Sequence, residues 1–235
     1  MKHFLSFLCI ALVLMSNAVA EPLTTITNQQ QLSYFMHTYY LDPHPELIDS
    51  AMLLVNDAVK DKKSARAPTL MSFSCMFALN AKAQKNKWKR TIKYLDNPAK
   101  SLLTEAISRT PEELLNSTKL SPAKNDMNWA CFFITGDIKY LNNIASNLKY
   151  LNERGDLNKY LTAASAKWSL ASNSHSHTLV RMAMESMRIG DVPEMREIAE
   201  EILTKDPEYF LEEMKSVVKT QKENGGWGNV TPKNE

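Results

Sequence analysis

The chain has 235 residues, of which 44% are hydrophobic and 23% charged, and its formal net charge is +2. With six glycines and three cysteines, it is neither a collagen-like chain nor a disulfide scaffold, and its apolar content excludes an intrinsically disordered protein. The near-neutral charge balance also argues against a dedicated nucleic-acid binder, which leaves an ordinary globular protein.

The first twenty residues have the pattern of a secretory signal peptide. Lys2 supplies a positive charge, residues 4–15 form a nearly unbroken apolar run, and Ala18 and Ala20 occupy the small positions of a cleavage site. The apolar run is shorter than the roughly 20 residues that a membrane-spanning helix needs. We therefore expect cleavage before Glu21 and export of the mature chain to the periplasm or out of the cell.

Helical spacing of apolar residues recurs along the rest of the chain, and no alternating strand pattern bounded by turn signals interrupts it. Thr110, Pro111 and Glu113 have the pattern of a capping box. The apolar stripes that predict helices lie within 47–59, 70–77, 102–107, 138–148, 157–168, 195–203 and 210–218, the last capped by Asp206. They predict an all-α fold of about nine to eleven helices, arranged as antiparallel hairpins packed into a short irregular solenoid or a multi-helix bundle.

Three glycine–aspartate pairs separate neighbouring helical stripes: Gly136-Asp137, Gly155-Asp156 and Gly190-Asp191. Glycine adopts the left-handed conformation that closes a helix C-terminus, and aspartate caps the N-terminus of the helix that follows. We therefore expect each pair to act as a hinge between antiparallel helices.

The sequence predicts a single all-α domain over residues 31–223. The signal peptide at 1–20 and a polar arm at 21–30 precede it. The glycine-rich segment 224–235 is predicted to be a flexible tail.

The segment 128–144 (NWACFFITGDIKYLNNI) resembles the α-α hairpins of tetratricopeptide-like repeats, with small and aromatic residues before the glycine and an aromatic after it. Together with Asp126-Met127-Asn128-Trp129 and Trp168-Ser169-Leu170-Ala171-Ser172-Asn173, it also resembles exported bacterial all-helical proteins of unassigned function. These resemblances imply a helical-repeat fold and an exported location, and they imply no activity.

The mature chain holds two cysteines, Cys75 and Cys131, each within an apolar helical run. An oxidising compartment would allow a disulfide between them. Alternatively, both remain free, because a free cysteine behaves as a small apolar side chain in a core.

His175 and His177 are the candidate metal ligands. Two imidazoles at i, i+2 in a loop can face one Zn or Cu ion, although such a site needs at least one further ligand, for which His37 or His44 would have to be brought close by folding. Thioethers would favour copper, and four methionines follow at Met182, Met184, Met187 and Met195. The alternative is a plain polar loop in which Ser176 caps the next helix.

Familiar catalytic patterns are absent from the sequence, which contains no G-x-S-x-G, H-E-x-x-H or C-x-x-C motif and no glycine-rich phosphate loop. An acid–base site would have to assemble from scattered residues, with Tyr39, His44, Asp126 and His177 as candidates. His44 lies in the segment 42–46 (DPHPE), which is alternatively a rigid corner between two helices.

One basic stretch is the strongest sign of a partner. It contains Lys82, Lys85, Lys87, Lys89, Arg90 and Lys93, with Trp88 and Tyr94 between them. Basic and aromatic side chains together suit an anionic partner; alternatively, Trp88 packs inward while the lysines stay in water. A second basic group, Lys60, Lys62, Lys63 and Arg66, is predicted one helix earlier, and stacking of the two helices would merge them into one positive surface.

These observations together predict an exported, non-enzymatic interaction module whose partner is a protein or an anionic envelope polymer. The alternative is a metal-binding envelope protein that uses His175 and His177 to hold Zn or Cu.

Overall fold

The computed structural model describes residues 24–60 and 63–227, apart from the side chains of residues 61–65 and 81–83. The predicted signal peptide and the last eight residues of the predicted tail lie outside the described residues. In the described residues the fold is all-α, as predicted, with no strand. No helix in this part of the chain has the length and apolar character needed to cross a membrane.

Eleven α-helices make up the described residues: α1 (Gln29–Thr38), α2 (Ile48–Lys60), α3 (Lys63–Lys93), α4 (Ala99–Ser108), α5 (Pro111–Ser117), α6 (Pro122–Thr135), α7 (Ile138–Ala145), α8 (Leu157–Ser174), α9 (Thr178–Arg188), α10 (Pro193–Thr204) and α11 (Pro207–Glu223). Short 3₁₀ turns at Pro45–Leu47 and Ser146–Tyr150 complete the set. The capping box at Thr110 and Glu113 is confirmed, as is the predicted cap of α11 by Asp206.

The contacts of the chain group it into two compact units. The first contains the described residues up to Thr118 together with Asp126–Asp137, and the second contains Lys119–Asn125 and the described residues from Ile138 onward.

In the first unit, the 31-residue helix α3 packs against α2, α4 and α5. The run Met71–Phe77 is buried at every position, as expected for a helix that neighbours surround on all sides. One helix continues through this run and the basic stretch. No glycine or proline lies between Pro68 and Pro98 to end it.

Cys75 on α3 and Cys131 on α6 are joined by a disulfide whose Cα atoms lie 5.8 Å apart. Both cysteines are buried in the core of the first unit. The bond therefore ties two helices that are 56 positions apart in the sequence.

In the second unit, α8 contacts α7, α9, α10 and α11. The first turn of α6 is held to α8 by the buried side chain of Asn125, which donates to the carbonyl of Thr162 (2.8 Å) and to the hydroxyl of Ser165 (2.9 Å). The side-chain oxygen of Asn125 accepts from the amide of Asn147 at 2.8 Å. These bonds satisfy a polar group that would be costly to bury without partners.

Two of the predicted hinges have the expected local structure at one residue each. Gly136 directly follows α6 in the left-handed conformation (φ +66°), and its N–H donates to the carbonyl of Phe132 at 2.7 Å. Asp156 caps α8 by accepting from the backbone N–H groups of Asn158 and Lys159. Asp137 lies between α6 and α7, and its predicted role as the cap of α7 stays a prediction.

The prediction is wrong for Gly155, Gly190 and Asp191. Among the described glycines, only Gly136 and Gly225 have a left-handed φ, so Gly155 and Gly190 do not. At the end of α9, the N–H of Gly190 donates a hydrogen bond to the carbonyl of Met187 although Gly190 is not left-handed. The N-cap of α10 is Val192 rather than Asp191, since Pro193 occupies the first helical position, where its missing N–H loses no bond.

Both ends of the described chain contact the fold, although the sequence predicts a polar arm at 21–30 and a flexible tail at 224–235. Ile26 is buried, its N–H donates to the Ser50 hydroxyl at 3.0 Å, and α1 already begins at Gln29. At the other end, Trp227 stacks on Tyr160 with ring centroids 5.3 Å apart.

Candidate functional site

The basic stretch of α3 places three lysines in a row. Lys85, Lys89 and Lys93 follow one another at intervals of four residues and are all exposed, so they lie along one face over about 12 Å. None of the three forms an ion pair with a carboxylate of the described residues. Their positive charge is therefore available to a partner.

The other cations of the stretch differ from this lysine row. Lys87 pairs with Asp49 of α2 (Nζ to Oδ2, 2.5 Å), so its charge is already compensated within the first unit. Arg90 is exposed in the last turn of α3, where a cation also stabilises the helix dipole. The side chain of Lys82 lies outside the described residues.

Trp88 does not belong to the partner-binding surface, which corrects its place among the predicted contact residues. Its side chain is 0% exposed and lies against Phe77, with ring centroids 5.1 Å apart. Ile92, four residues later, is buried on the same side of the helix. The aromatic ring at Trp88 therefore stabilises the core, while the neighbouring lysines remain in water.

The expected merging of the two basic groups is also wrong. Arg66 lies near the start of α3 and Lys85 near its end, about 28 Å apart along a straight helix axis. Lys60 is exposed at the end of α2, whereas Lys62 and the side chain of Lys63 lie outside the described residues. Arg66 and the basic stretch therefore lie towards opposite ends of α3, because this helix is continuous.

The histidine pair lies between α8 and α9. His175 is exposed, and the N-cap residue of α9 is His177 rather than Ser176, the cap of the alternative interpretation. Partial burial lowers the pKa of His177 below its usual value. The described residues contain no group of three or more His, Cys, Asp or Glu side chains placed to hold a metal ion. His175 and His177 therefore lack a further ligand of these types in that part of the chain.

The methionines near this pair do not converge. Met182 is 60% exposed and Met184 is 2% exposed, because the two residues point to opposite sides of α9. Their thioethers therefore do not share one copper ion.

The scattered acid–base candidates have separate environments. Tyr39 is buried in the first unit, where its hydroxyl accepts from the side-chain amide of Asn80 at 2.5 Å, and burial raises its pKa to about 12. Asp126 keeps exposed surface, although desolvation by the surrounding protein raises its pKa to about 6.

His44 bridges two carboxylates at the surface. Its Nδ1 lies 2.6 Å from Glu46 Oε1 and its Nε2 lies 3.0 Å from Asp42 Oδ2. The hydrogen bonds to Glu46 and then to Asp42 raise the pKa of His44. Both ring nitrogens are thus engaged within the corner that precedes α2.

Sequence reasoning missed a cavity of about 290 Å³ in the second unit, lined by α8, α10, α11 and the turn before α8. At its inner end lies Lys167, whose side chain is 7% exposed. The ammonium group contacts Glu201 Oε2 at 2.6 Å and Glu213 Oε2 at 3.2 Å, and lies 4.8 Å from the centre of the Phe210 ring.

The charges at this inner end are mutually compensated. Glu201 also accepts from Lys205 at 2.7 Å. Burial opposes ionisation of Glu201, but the hydrogen bonds from Lys167 and Lys205 outweigh it and lower its pKa. Lys167 is the buried member of this cluster, and the side chains of Glu201 and Glu213 keep 36% and 40% of their surface exposed.

The exposed side of the cavity, which we call the mouth, carries Arg154, Glu194 and Glu197. Arg154 lies over the ring of Tyr160, 5.3 Å from its centre. Burial, and then the negative charge of Glu213, raise the pKa of Tyr160 to about 12.

One feature of the sequence does indicate the cavity. Lys167 lies three residues after Ala164 and seven after Tyr160, on the apolar stripe of α8. A lysine at such a position needs a buried counter-charge, although the sequence does not show which carboxylates provide it.

No family model matches the chain, and no curated protein or solved structure is significantly similar to it. The resemblance to tetratricopeptide-like hairpins and to exported helical proteins therefore stays a prediction.

Proposed function

We propose that this protein is an exported, non-enzymatic interaction module that binds an anionic partner through the lysine row of α3. The observation that supports it is the row itself: Lys85, Lys89 and Lys93 are exposed along one face and form no ion pair with a described carboxylate. Such a face attracts an acidic protein surface or an anionic envelope polymer by long-range electrostatics.

The arrangement of the neighbouring residues also supports binding by charge. Trp88 and Ile92 anchor this part of α3 in the core, so the lysines project from a supported helix. The exposed Tyr94 follows directly and offers an apolar contact beside the charges.

A crosslinking pull-down with the mature chain tests this proposal. Reversal of two charges in the row, Lys85→Glu/Lys89→Glu, should abolish capture of the partner. The matched control, Lys119→Glu/Lys222→Glu, makes the same change in net charge at two other exposed lysines and should leave capture intact. Raising the salt from low concentration should weaken capture by the wild type, since screening shortens the range of surface charges to about 8 Å at 0.15 M.

Equal loss of the partner in both double variants would show that net charge alone is responsible and would reject the lysine row. Enzymatic digestion of the captured material separates the two classes of partner. A protease removes an acidic protein, whereas an envelope polysaccharide or similar polymer survives it.

A further inference from the structure

We propose that the cavity of the second unit binds a small organic cation, a primary ammonium group on a short apolar stem. This site is independent of the lysine row, and its ligand has the opposite charge to the partner of that row. Three features of the cavity support this proposal: its size, the charges of its lining and the contacts of its two cations, Arg154 and Lys167.

The size of the cavity indicates a small ligand. At about 290 Å³ it lies at the lower end of the volumes typical of ligand pockets, about 300–1,000 Å³. Its apolar wall consists of Tyr160, Ile198, Phe210, Met214 and Val217. This wall suits a stem of a few methylene groups, which gains free energy by leaving water.

The charges of the lining favour a positive ligand. Two cations, Arg154 and Lys167, face four carboxylates, those of Glu194, Glu197, Glu201 and Glu213. Lys205 contacts Glu201 from outside the lining, so these groups together have one more negative than positive formal charge.

The excess negative charge lies at the mouth. Lys167 and Lys205 already compensate Glu201 and Glu213 at the inner end. Glu197 forms no ion pair with a cation of the described residues, and Glu194 meets only the side-chain amide of Asn152, at 3.5 Å. The two mouth glutamates are three residues apart on α10, so their carboxylates lie on one face and are able to contact the same ammonium group.

The aromatic rings of the cavity already hold cations. The ammonium group of Lys167 lies over the ring of Phe210, and the guanidinium group of Arg154 lies over the ring of Tyr160. Both cations are therefore engaged, and Arg154 also donates to the carbonyls of Leu151 (2.8 Å) and Glu153 (3.0 Å). A cationic ligand finds the two mouth carboxylates in place without displacing any of these contacts.

Isothermal titration calorimetry with two probes of equal length tests the sign of the ligand. Hexylamine should bind the mature chain saturably, and hexanoate should bind at least about tenfold more weakly. Tighter or equal binding of hexanoate would overturn the proposal, as would the absence of saturable hexylamine binding.

A pair of variants tests the location. Glu194→Gln/Glu197→Gln should weaken hexylamine binding about tenfold or more, because it removes the charges at the mouth and keeps the shape of the side chains. Both residues are exposed, so the fold should be unaffected, which a circular dichroism melt checks. The control is Glu208→Gln/Glu212→Gln on α11, which removes two exposed charges outside the lining and should leave the affinity unchanged.

Unchanged affinity in Glu194→Gln/Glu197→Gln, or an equal loss in the control, would place hexylamine elsewhere and overturn the proposal. Replacing hexylamine by 1,6-diaminohexane identifies the kind of cation. Tighter binding of the diamine would assign the site to polyamines, whereas weaker binding would assign it to monoamines with an apolar end.

Discussion

His44 shows how much chemistry a few neighbouring residues can assemble. Pro43 and Pro45 on either side restrict the backbone. The imidazole then contacts Asp42 and Glu46 without help from any distant element. A histidine so placed between two carboxylates is a pH-sensitive contribution to stability rather than an assembled active site.

Replacement of His44 should therefore cost stability at acidic pH only. The pKa of His44 is raised above its ordinary value of 6.5, so the folded state binds the proton more tightly than the unfolded state. The resulting stabilisation is fully present below pH 6.5 and is lost as the pH rises through the folded-state pKa. Urea unfolding of wild type and His44→Gln should differ at pH 5.5 and converge at pH 8.5. A difference that is larger at pH 8.5 would contradict this account.

At the scale of elements, helix ends are determined by single residues where the backbone demands it. Gly136 ends α6 with a left-handed φ, and a Cβ atom added there would lie 2.6 Å from Cδ2 of Tyr40. Gly155 has no such φ, and an added Cβ would meet only the flexible side chain of Glu153, at 3.3 Å. The backbone at Gly136 therefore requires glycine, whereas the backbone at Gly155 accepts a residue with a Cβ atom.

Gly136→Ala should destabilise the protein by more than about 1 kcal/mol. The left-handed conformation alone costs an L-residue about 1–2 kcal/mol, and the contact with Tyr40 adds to it. Gly155→Ala is the matched control and should change the free energy of unfolding by less than about 0.5 kcal/mol. Chemical denaturation of the two variants measures both values, and equal effects would refute the distinction between them.

At the scale of the whole molecule, the disulfide is the covalent link between distant parts of the sequence. Cys75 and Cys131 are 56 positions apart. A cross-link over a loop of this length restricts the unfolded chain considerably more than it restricts the folded one. The same bond fits an oxidising compartment and so agrees with the proposed export.

Reduction of the disulfide should lower the free energy of unfolding by about 4 kcal/mol. Urea unfolding with and without reductant measures the loss, and mass spectrometry after alkylation counts the thiols and reads the N-terminus, expected at Glu21. Cys75→Ala/Cys131→Ala is the control and should be insensitive to reductant. A wild-type transition that stays unchanged after both thiols have become alkylatable would contradict the prediction.

Features that depend on neighbours within about four positions are predictable from the amino-acid sequence. The helical class, the capping box at Thr110 and the cap at Asp156 follow from periodicity and from side chains that bond the nearest backbone N–H groups. The same local reasoning placed Trp88 and Ile92 on one side of a helix, but periodicity does not show which side meets a core.

Which helix faces meet depends on contacts between residues far apart in the sequence. Packing buries Trp88, the continuous α3 separates Arg66 from the lysine row, and Lys167 contacts Glu201 and Glu213, which lie 34 and 46 positions away. The packed helices bury Lys167, whose ammonium group then needs the carboxylates that they bring close to it. The cavity and its charge therefore arise from the packing of α8, α10 and α11, which no local pattern of residues encodes.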